Sequence, residues 1–398
     1  MKLVAGNPFW SGKAATPHYA RLRRSLECDV VVLGGGITGA LVTHALAEAG
    51  VAVVAVDKNE IGGGSSSAST GLLQYETDLP LYRLMRKIGT AAAVRCYRLN
   101  REAVEGLARL VDRLPDRSDF AWRGSLYGAS KPQHVAGLKR EFAARRRHGF
   151  AVEYWDRRRV ARESSLPFSA ALVSSCAAEV DSYRLTHALF AAAVARGARV
   201  FAHTAVKRWE NAGGKVIVHA AGHRLTAHHL VVASGYEGEP VLPARLARLD
   251  STFAFVSEPV PRLEGWPARR LIWETARPYL YCRTTPDNRV VVGGADEQSS
   301  TPAKRDRLLR GKIKYLGKKF AGYFPAIRVR VADAWAGTFA TTRDSLPCIG
   351  SFPREPEVTY ALCYGGNGIT FSLVAADIIR DRCLGRRSAA ADLFRLDR

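Results

Sequence analysis

Short apolar runs alternate with amphipathic stretches near the start of the chain, in an order typical of α/β proteins. Val30–Leu33 is a β-branched apolar run that predicts a strand buried on both faces. Residues 40–50 carry apolar side chains at helical spacing and end at a glycine, which predicts a helix. A second apolar run over 51–56 predicts another strand. The pattern therefore predicts a strand–helix–strand unit.

The same alternation continues along the rest of the chain. Further helices are predicted at 79–114 with a break near Gly89, at 131–148, at 182–196, at 301–324 as one helix or a pair, and at 369–383. Further strands are predicted at 120–129, 199–203, 206–210, 215–220, 230–235, 279–281, 290–294 and 358–364. Residues 1–27 are interpreted as an irregular basic arm packed over the first domain.

Length and cysteine usage narrow the class of protein. A chain of 398 residues suffices for two domains, each with its own core. No apolar run approaches the length of a membrane span, and the N-terminal stretch lacks the apolar segment of a signal peptide. The seven cysteines are scattered and form no C-x-x-C pair. They favour reduced thiols in a cytoplasmic protein, and neither a disulfide framework nor a metal site is predicted.

The net charge of +22 has two interpretations. Basic clusters at 145–147, 157–159 and 312–319 could attract an anionic partner such as nucleic acid or a membrane surface. The alternative is a solvated basic surface, which we favour because no nucleic-acid-binding motif accompanies the charge. Nucleic acid is therefore not an expected partner.

A glycine motif joins the first predicted strand to its helix. In Gly34-x-Gly36-x-x-Gly39 the first glycine allows a tight turn, and the second lets the backbone approach a pyrophosphate. The third glycine lets the helix pack close to the strand. Asp57 follows the second strand, where a carboxylate can accept ribose hydroxyls. The motif predicts a dinucleotide site, and the alternative is a glycine-rich turn in an ordinary parallel sheet.

Two further loops combine glycine with small polar residues. Residues 61–71 form a flexible, hydroxyl-rich loop whose backbone can lie against a ligand, or else a linker. Residues 365–370 form a glycine turn that opens a helix, whose N–H groups and positive dipole end can face a negative charge. The alternative for this turn is an ordinary helix cap made by Asn367.

Four motifs in this order resemble those of the D-amino acid oxidase superfamily of FAD-dependent oxidoreductases, which includes glycine oxidase and sarcosine oxidase. The motifs are the glycine motif above, Val231-Val232-Ala233-Ser234-Gly235, Leu346-Pro347-x-Ile349-Gly350 and Gly365-Gly366-Asn367-Gly368. The resemblance implies an α/β fold with a Rossmann-like FAD-binding domain made of discontinuous segments. It also implies an inserted substrate domain of α+β type with a mixed sheet. The predicted segments are 1–85, 150–245 and 331–398 for the first domain, and 86–149 and 246–330 for the second.

The resemblance also implies a reaction and a set of cofactor-binding positions. The expected enzyme oxidises a C–N bond of an amine or amino acid by hydride transfer to flavin N5, with oxygen or another electron acceptor. The turn at 365–370 would face the negative charge of the reduced flavin near N1 and the C2 carbonyl oxygen. The predicted FAD-binding residues are Gly34, Gly36, Ile37, Thr38, Gly39, Asp57, Lys58, Ser65, Ser66, Ser69, Thr70, Gly71, Leu72, Val206, Ser234, Gly235, Gly337, Gly365, Gly366, Asn367, Gly368, Ile369 and Thr370.

Two positions depart from the patterns of these relatives. Phe339 stands where relatives that act on amino acids carry an arginine that binds the substrate carboxylate. Arg283, Arg277 or Arg343 could substitute for that arginine. Gly337 stands where sarcosine oxidase relatives carry the cysteine that tethers the flavin, so non-covalent FAD is expected.

The candidate catalytic residues come from one predicted strand and one turn. Tyr279 and Tyr281 share a strand face and could line a substrate cavity, although strand aromatics also form ordinary cores. Arg283 follows on the same face, and Arg343 lies in a predicted turn. Tyr281, Arg283 and Arg343 are therefore the predicted catalytic residues.

Three other functions stay open on the sequence alone. They are a dehydrogenase that uses a soluble nicotinamide cofactor, a tRNA-modifying member of the same superfamily, and a non-catalytic flavoprotein subunit. A nicotinamide enzyme has no need of the Gly365–Gly368 motif, and only the basic charge supports a tRNA substrate. The sequence does not predict the oligomeric state.

Overall fold

Helices and strands alternate through the described chain, which in a computed structural model comprises residues 3–11, 16–237, 247–298 and 301–398. The helices within these ranges are α1 (Ile37–Glu48), α2 (Ser65–Ala68), α3 (Leu81–Ile88), α4 (Thr90–Val111), α5 (Val135–Arg147), α6 (Arg157–Glu163), α7 (Ser182–Val194), α8 (Pro302–Tyr323) and α9 (Gly368–Cys383). The strands are β1 (Val4–Gly6), β2 (Leu26–Glu27), β3 (Val30–Leu33), β4 (Val53–Val56), β5 (Leu72–Gln74), β6 (Ala121–Trp122), β7 (Ser125–Gly128), β8 (Glu153–Asp156), β9 (Ala170–Ser174), β10 (Ala177–Glu179), β11 (Arg199–Phe201), β12 (Val206–Ala212), β13 (Lys215–Ala220), β14 (His223–Ala227), β15 (His229–Val232), β16 (Ala247–Ser257), β17 (Leu271–Glu274), β18 (Leu280–Thr284), β19 (Val290–Glu297), β20 (Val331–Thr342), β21 (Cys348–Gly350) and β22 (Val358–Leu362).

A six-stranded sheet forms the first layer, in the order β11-β4-β3-β15-β22-β21. All its neighbouring strands run parallel except β21, which pairs antiparallel with β22. Helices α1, α7 and α9 pack together on one face. The small sheet β12-β13-β14-β2 covers the other face. Because both faces are covered, β3 and β4 are valine-rich and almost wholly buried, and the predicted strand–helix–strand unit is confirmed.

A nine-stranded mixed sheet forms the second layer, in the order β1-β20-β16-β19-β18-β17-β7-β9-β8. Only the β17–β7 pair is parallel among the described strands of this sheet. Helix α8 packs against β16, β19 and β20, and its side chains Leu316 and Phe320 join the core beneath them. Residues 302–323 therefore form one long helix, which settles the choice between one helix and two.

Each of the two layers contains elements from both predicted domains. Strands β8, β9 and β20 belong to the nine-stranded sheet, although residues 150–245 and 331–398 were assigned to the cofactor-binding segments. Helix α4, from the predicted substrate segment 86–149, packs on α9 beside the six-stranded sheet. The sequence of a short apolar strand does not show which sheet the strand joins, because its pairing partners lie far away in the sequence. The division stays a prediction, and its boundary at 245/246 lies outside the described residues.

The N-terminal arm is more ordered than expected. Strand β1 pairs with β20 at the edge of the nine-stranded sheet, and β2 pairs with β14. Phe9 and Trp10 are buried, and the ring of Trp10 lies 4.9 Å from the guanidinium carbon of Arg283. The prediction of irregular chain is therefore wrong for 4–6 and 26–27, which form strands. Residues 7–11 and 16–25 are irregular, and Tyr19 and Leu22 pack into the cores beside the six-stranded sheet, as predicted. Residues 1–2 and 12–15 of the arm lie outside the described ranges.

Candidate FAD site

Close packing requires two glycines in the turn between β3 and α1. Gly34 has a φ of 129°, and a Cβ there would lie 2.3 Å from the carbonyl oxygen of Ala233. A Cβ at Gly39 would lie 1.8 Å from the carbonyl oxygen of Gly34. Gly36 begins α1 without a capping side chain, and the nearest atom to a Cβ there is Ser66 Oγ at 3.1 Å. The N–H of Ile37 donates to Ser66 Oγ at 2.8 Å, and Ile37 and Thr38 line the cavity. The remaining N–H groups of the first turn of α1 can face a phosphate there.

Asp57 closes this turn from the end of β4. Its Oδ2 accepts a hydrogen bond from the N–H of Gly35, and its Oδ1 accepts one from the N–H of Asn59, both at 2.7 Å. Burial raises the pKa of Asp57, while the hydrogen bonds from Asn59 and Gly35 oppose that shift. Each carboxylate oxygen keeps acceptor capacity for a further donor, such as a ribose hydroxyl. Beside it Lys58 forms an ion pair with Glu237 at 2.9 Å.

A cavity of about 410 Å³ extends from this turn to the nine-stranded sheet. It brings together most of the predicted cofactor-binding residues, which come from both sheets and from the loops between them. Those that line it are Gly34, Gly36, Ile37, Thr38, Asp57, Lys58, Ser65, Ser66, Ser69, Thr70, Leu72, Val206, Ser234, Gly235, Gly337, Gly365, Gly366, Gly368 and Ile369.

Four predicted residues lie beside the cavity and not in its lining. Gly39 packs α1 against β3. Gly71 has a φ of 69°, and a Cβ there would lie 2.0 Å from the Val180 carbonyl oxygen. Asn367 donates from Nδ2 to the carbonyl oxygens of Gln74 and Glu76 at 3.0 and 2.9 Å. Thr370 donates to Asn100 at 2.8 Å. These residues shape the walls of the cavity.

The turn before α9 opens into the same cavity. The side chain of Asn367 does not cap α9, because it bonds the chain after β5 instead. The alternative of an ordinary Asn367 helix cap is therefore wrong. The N–H of Gly366 donates to Asp78 Oδ2 at 3.1 Å, while Gly368 and Ile369 line the cavity. The uncapped first turn of α9 leaves N–H groups that can face negative charge in the cavity.

The far wall of the cavity comes from strands β16, β18 and β20. Thr252, Tyr281 and Phe339 line it. The ring of Tyr281 lies over Gly293, where a Cβ would come within 2.4 Å of the ring, so only glycine leaves room for this tyrosine. The rings of Tyr279 and Tyr281 are 5.6 Å apart. The structure therefore places Tyr281 at the cavity, with Tyr279 packed beside it.

The candidate arginines lie outside the cavity lining. Arg283 is buried and donates to the carbonyl oxygens of Thr70, Val180 and Thr284 at 2.6, 3.1 and 3.2 Å. Its Nη1 also lies 3.6 Å from the Glu179 carboxylate. Arg343 is exposed on the turn after β20. Among the residues that the structure describes, Lys58 is the one cation in the lining, and it lies at the ribose end.

Several lining residues have no counterpart among the predicted positions. Gly35 and Asn59 could have been found, because they neighbour residues of the glycine motif and Asp57. Trp209 and Thr252 lie in strands without any motif, so only the folded chain brings them here. The residues missed are Leu3, Leu33, Gly35, Asn59, Glu60, Trp209, Tyr236, Glu237, Thr252, Thr338, Tyr364 and Ser372. Seven other lining residues lie in the predicted loop 61–71, in the motif 231–235 or at the position of the absent arginine: Gly62, Gly63, Gly64, Ala68, Val232, Ala233 and Phe339.

Replacement of Asp57 is expected to weaken cofactor binding strongly. Asp57→Ala removes a charged acceptor and releases the N–H of Gly35 from the turn. Hydrogen bonds to charged groups contribute about 1.5–3 kcal/mol, so affinity for FAD should fall by roughly ten- to a hundredfold. Equilibrium dialysis of the flavin-free protein measures this, with Glu48→Ala at the exposed end of α1 as control. Unchanged affinity would move the ribose acceptor to Asn59 or Glu60.

The arrangement fits a dinucleotide such as FAD. One uncapped helix N-terminus and a nearby carboxylate suit a pyrophosphate and a ribose, and a second uncapped helix N-terminus suits a reduced flavin. Within the described ranges no three or more His, Cys, Asp or Glu residues form a group able to hold a metal ion. None of the helices described is long and apolar enough to cross a membrane. None of the seven cysteines, all of which lie in the described ranges, forms a disulfide.

Comparisons with known proteins agree with this geometry. The chain is 27% identical over 382 residues to gamma-glutamylputrescine oxidoreductase of Escherichia coli, covering 92% of this chain and 85% of that protein. It is 26% identical over 375 residues to glycine oxidase of Bacillus licheniformis, covering 90% and 93%. The solved glycine oxidase of Geobacillus kaustophilus superposes with a TM-score of 0.77 at 21% identity, covering 91% and 96%.

A family model gives the assignment. The model for FAD dependent oxidoreductases matches residues 29–382, which is most of the chain. The match spans the glycine turn, Asp57, the far wall of the cavity and the turn before α9. The solved L-alpha-glycerophosphate oxidase of Mycoplasma pneumoniae, with FAD bound, shares the fold at a TM-score of 0.74 and 13% identity, covering 91% of this chain and 96% of that one. The chain therefore belongs to the FAD dependent oxidoreductases of the D-amino acid oxidase superfamily, and FAD is its cofactor.

Proposed function

We propose that the protein oxidises a C–N bond of an amine or amino acid, with the substrate held between the flavin and the far wall of the cavity. The observation that carries this is the joining of two regions in one cavity. The nucleotide-binding turn lies at one end, and an aromatic wall from the nine-stranded sheet lies at the other. Bound FAD would supply the hydride acceptor, N5. A nicotinamide dehydrogenase is set aside, because the chain belongs to an FAD family.

The residues of the chain would bind, orient and shield the reactants. The glycine turn and Asp57 would hold the adenosine half of the cofactor. The first turn of α9 would offset negative charge that develops on the ring system. Tyr281 and Phe339 present aromatic surface to the substrate and exclude water from the reacting atoms. Tyr281, whose hydroxyl is near Thr70 and Thr252, is the candidate catalytic residue that the geometry supports.

Substrate choice should favour amines over simple amino acids. Phe339 cannot hydrogen-bond a carboxylate, and no arginine among the described residues lines the cavity. A substrate carboxylate buried there without a partner would be costly. Arg283 does not line the cavity, and its donors already serve three carbonyl oxygens, so it does not replace the missing carboxylate-binding arginine.

Flavin reduction without oxygen tests the proposed reaction. FAD-loaded protein is mixed under nitrogen with matched amines and amino acids, and loss of the yellow absorption is followed by stopped flow. Several amines should bleach the flavin, and the amino acid of each pair should do so more slowly. Failure of every amine and amino acid to bleach a fully loaded protein would exclude C–N oxidation as its activity.

Purified protein is expected to release its FAD on denaturation. None of the seven cysteines lines the cavity, and Gly337 provides no nucleophile on the strand that faces it. Acid or heat denaturation should therefore leave the yellow colour in the supernatant, where chromatography identifies FAD. A yellow pellet, with flavin bound to a peptide after proteolysis, would show a covalent bond and contradict this expectation.

A further inference from the structure

A half-buried carboxylate, that of Asp296, lies next to the far wall of the cavity without being part of its lining. Asp296 is near the end of β19, directly after Ala295, whose φ of 54° departs from the strand conformation. The Oδ1 atom of Asp296 is buried and has no hydrogen-bond partner among the residues that the structure describes. Burying a carboxylate oxygen without a hydrogen bond costs free energy, so a ligand that donates a hydrogen bond to Oδ1 would be stabilised there.

Polar side chains connect this carboxylate to the cavity. Strand β16 pairs with β19 so that Ser251 lies opposite Glu297 and Phe253 opposite Gly294, which places Thr252 across from Ala295 and Asp296. Hydrogen bonding from Thr252 lowers the pKa of both Asp296 and Tyr281. Thr252 and Tyr281 both line the cavity. Tyr279 packs against Tyr281, with ring centroids 5.6 Å apart. We call Asp296, Asp78, Thr252, Tyr279 and Tyr281 the carboxylate pocket.

The surroundings of the carboxylate pocket are predominantly acidic. The negative charge of Asp78 raises the pKa of Asp296 and of both tyrosines. The charge of Asp250 raises the pKa of Asp296 less, and Asp250 itself forms an ion pair with Arg248 at 2.9 Å. The positive charge of Arg277 lowers the pKa of Asp296. Its guanidinium lies 4.6 Å from the Tyr279 ring centroid and donates to backbone carbonyl oxygens, Asp78 among them.

The acidity of Asp296 reflects this environment. Burial raises the pKa of Asp296 to about 6, and the charge of Asp78 adds to the rise, while Thr252 and Arg277 oppose it. The carboxylate is therefore ionised at neutral pH, but a nearby cation would stabilise it further. The two tyrosine rings add π-faces that attract cations and not anions.

We propose that the carboxylate pocket binds the non-reacting ammonium of a diamine or polyamine, so that the preferred substrate carries a second positive charge. This rests on the proposed C–N oxidation at the adjacent flavin, and it names the substrate class. An ammonium supplies compact donors for Asp296 Oδ1 and a charge for the tyrosine faces. A substrate carboxylate at this position would meet Asp78 and Asp296 instead.

Three ligands of equal chain length test the pocket. Binding of 1,4-diaminobutane, butylamine and 4-aminobutanoate to the FAD-loaded protein is measured by calorimetry under nitrogen, alongside bleaching of the flavin. We expect the diamine to bind about ten- to a hundredfold more tightly than butylamine, the size of one charge-assisted hydrogen bond. The carboxylate-bearing ligand should bind most weakly. Diamines of three and five carbons test other distances between the reacting amine and the second ammonium.

Asp296→Asn is expected to abolish the preference for the diamine and to leave butylamine binding within about twofold. Glu297→Gln is the matched control, because it makes the same charge change one residue along β19, where Glu297 pairs with Lys304 and Lys312 at 3.0 and 3.1 Å. That control should keep the preference. FAD content and melting temperature show whether each variant is folded.

The wild-type protein provides a test that needs no variant. As pH falls through about 6, Asp296 gains a proton, so the preference for the diamine should shrink while butylamine binding changes little. Equal binding of the diamine and butylamine at pH 8 would contradict the proposed ammonium site. So would a preference for the diamine that persists in Asp296→Asn. A preference that depends on Asp296 without any flavin bleaching supports the pocket and refutes the C–N oxidation.

Discussion

Gly39→Ala is expected to yield protein that retains less than about a tenth of its FAD and has lost about 3 kcal/mol of stability. The new methyl carbon would lie 1.8 Å from the carbonyl oxygen of Gly34, whereas real Cβ contacts are essentially never under 3.0 Å. Helix α1 must therefore move away from β3. That movement displaces the N–H groups of its first turn, which would otherwise face the pyrophosphate.

The same substitution elsewhere provides the control for Gly39→Ala. Gly311 lies in the exposed part of α8, and no atom would lie within 4 Å of a Cβ there. Gly311→Ala should stabilise the protein by about 0.5–1 kcal/mol through helix propensity and leave FAD binding unchanged. Flavin content after gel filtration and denaturant unfolding measure both variants. Full flavin content in Gly39→Ala would contradict the close packing of helix and strand.

Arg145→Gln is expected to destabilise the protein by about 3–5 kcal/mol, because it leaves two buried carboxylates without their cation. Arg145 on α5 donates from Nε to Glu141 at 2.6 Å and from Nη1 to Glu76 at 2.9 Å. All three side chains are almost completely buried. Glu76 Oε1 also accepts from Ser125 and Ser174 at 3.0 and 2.6 Å. The network thus joins α5 to β7, β9 and the chain that leads to Asp78.

Two comparisons isolate the buried charge in Arg145→Gln. Arg146→Gln changes the same residue type at the next, exposed position of α5 and should alter stability by less than about 0.5 kcal/mol. Arg145→Gln combined with Glu76→Gln and Glu141→Gln removes all three charges and should recover part of the loss. Free energies of unfolding from denaturant titration measure each variant. A loss equal to that of Arg146→Gln would show that the network contributes nothing.

The sequence predicted best what is local in the chain. The glycine motif, the strands beside it and Asp57 lie within thirty residues, and each imposes its geometry on its neighbours. The break near Gly89 was also predictable, and the structure ends α3 there with a φ of 86°. Residues 120–129 instead form two strands, β6 and β7, which join different sheets. The ten-residue sequence of this segment does not indicate that its two halves pair with different sheets.

Long-range pairing accounts for what the sequence did not predict. Thr252 reaches the cavity because β16 pairs with β20 and places it opposite Gly337. That register depends on residues more than eighty positions apart. Arg283 was correctly placed on the strand face of Tyr281, but the approach of the Thr70 and Val180 carbonyl oxygens was not visible in the sequence. Its role as a substrate cation is therefore not supported by the contacts it makes.

The breadth of the cavity lining has a consequence during protein synthesis. Its residues range from Leu3 to Ser372, so the turn before α9 leaves the ribosome long after the glycine turn at 34–39. FAD therefore cannot be fully enclosed until residues 365–372 have emerged, and the nascent protein must fold the sheets that precede them without that ligand. When the concentration of free FAD is a thousand times its dissociation constant, binding adds about 4 kcal/mol to the free energy of unfolding. A cell short of riboflavin would thus hold a less durable protein, more exposed to its proteases.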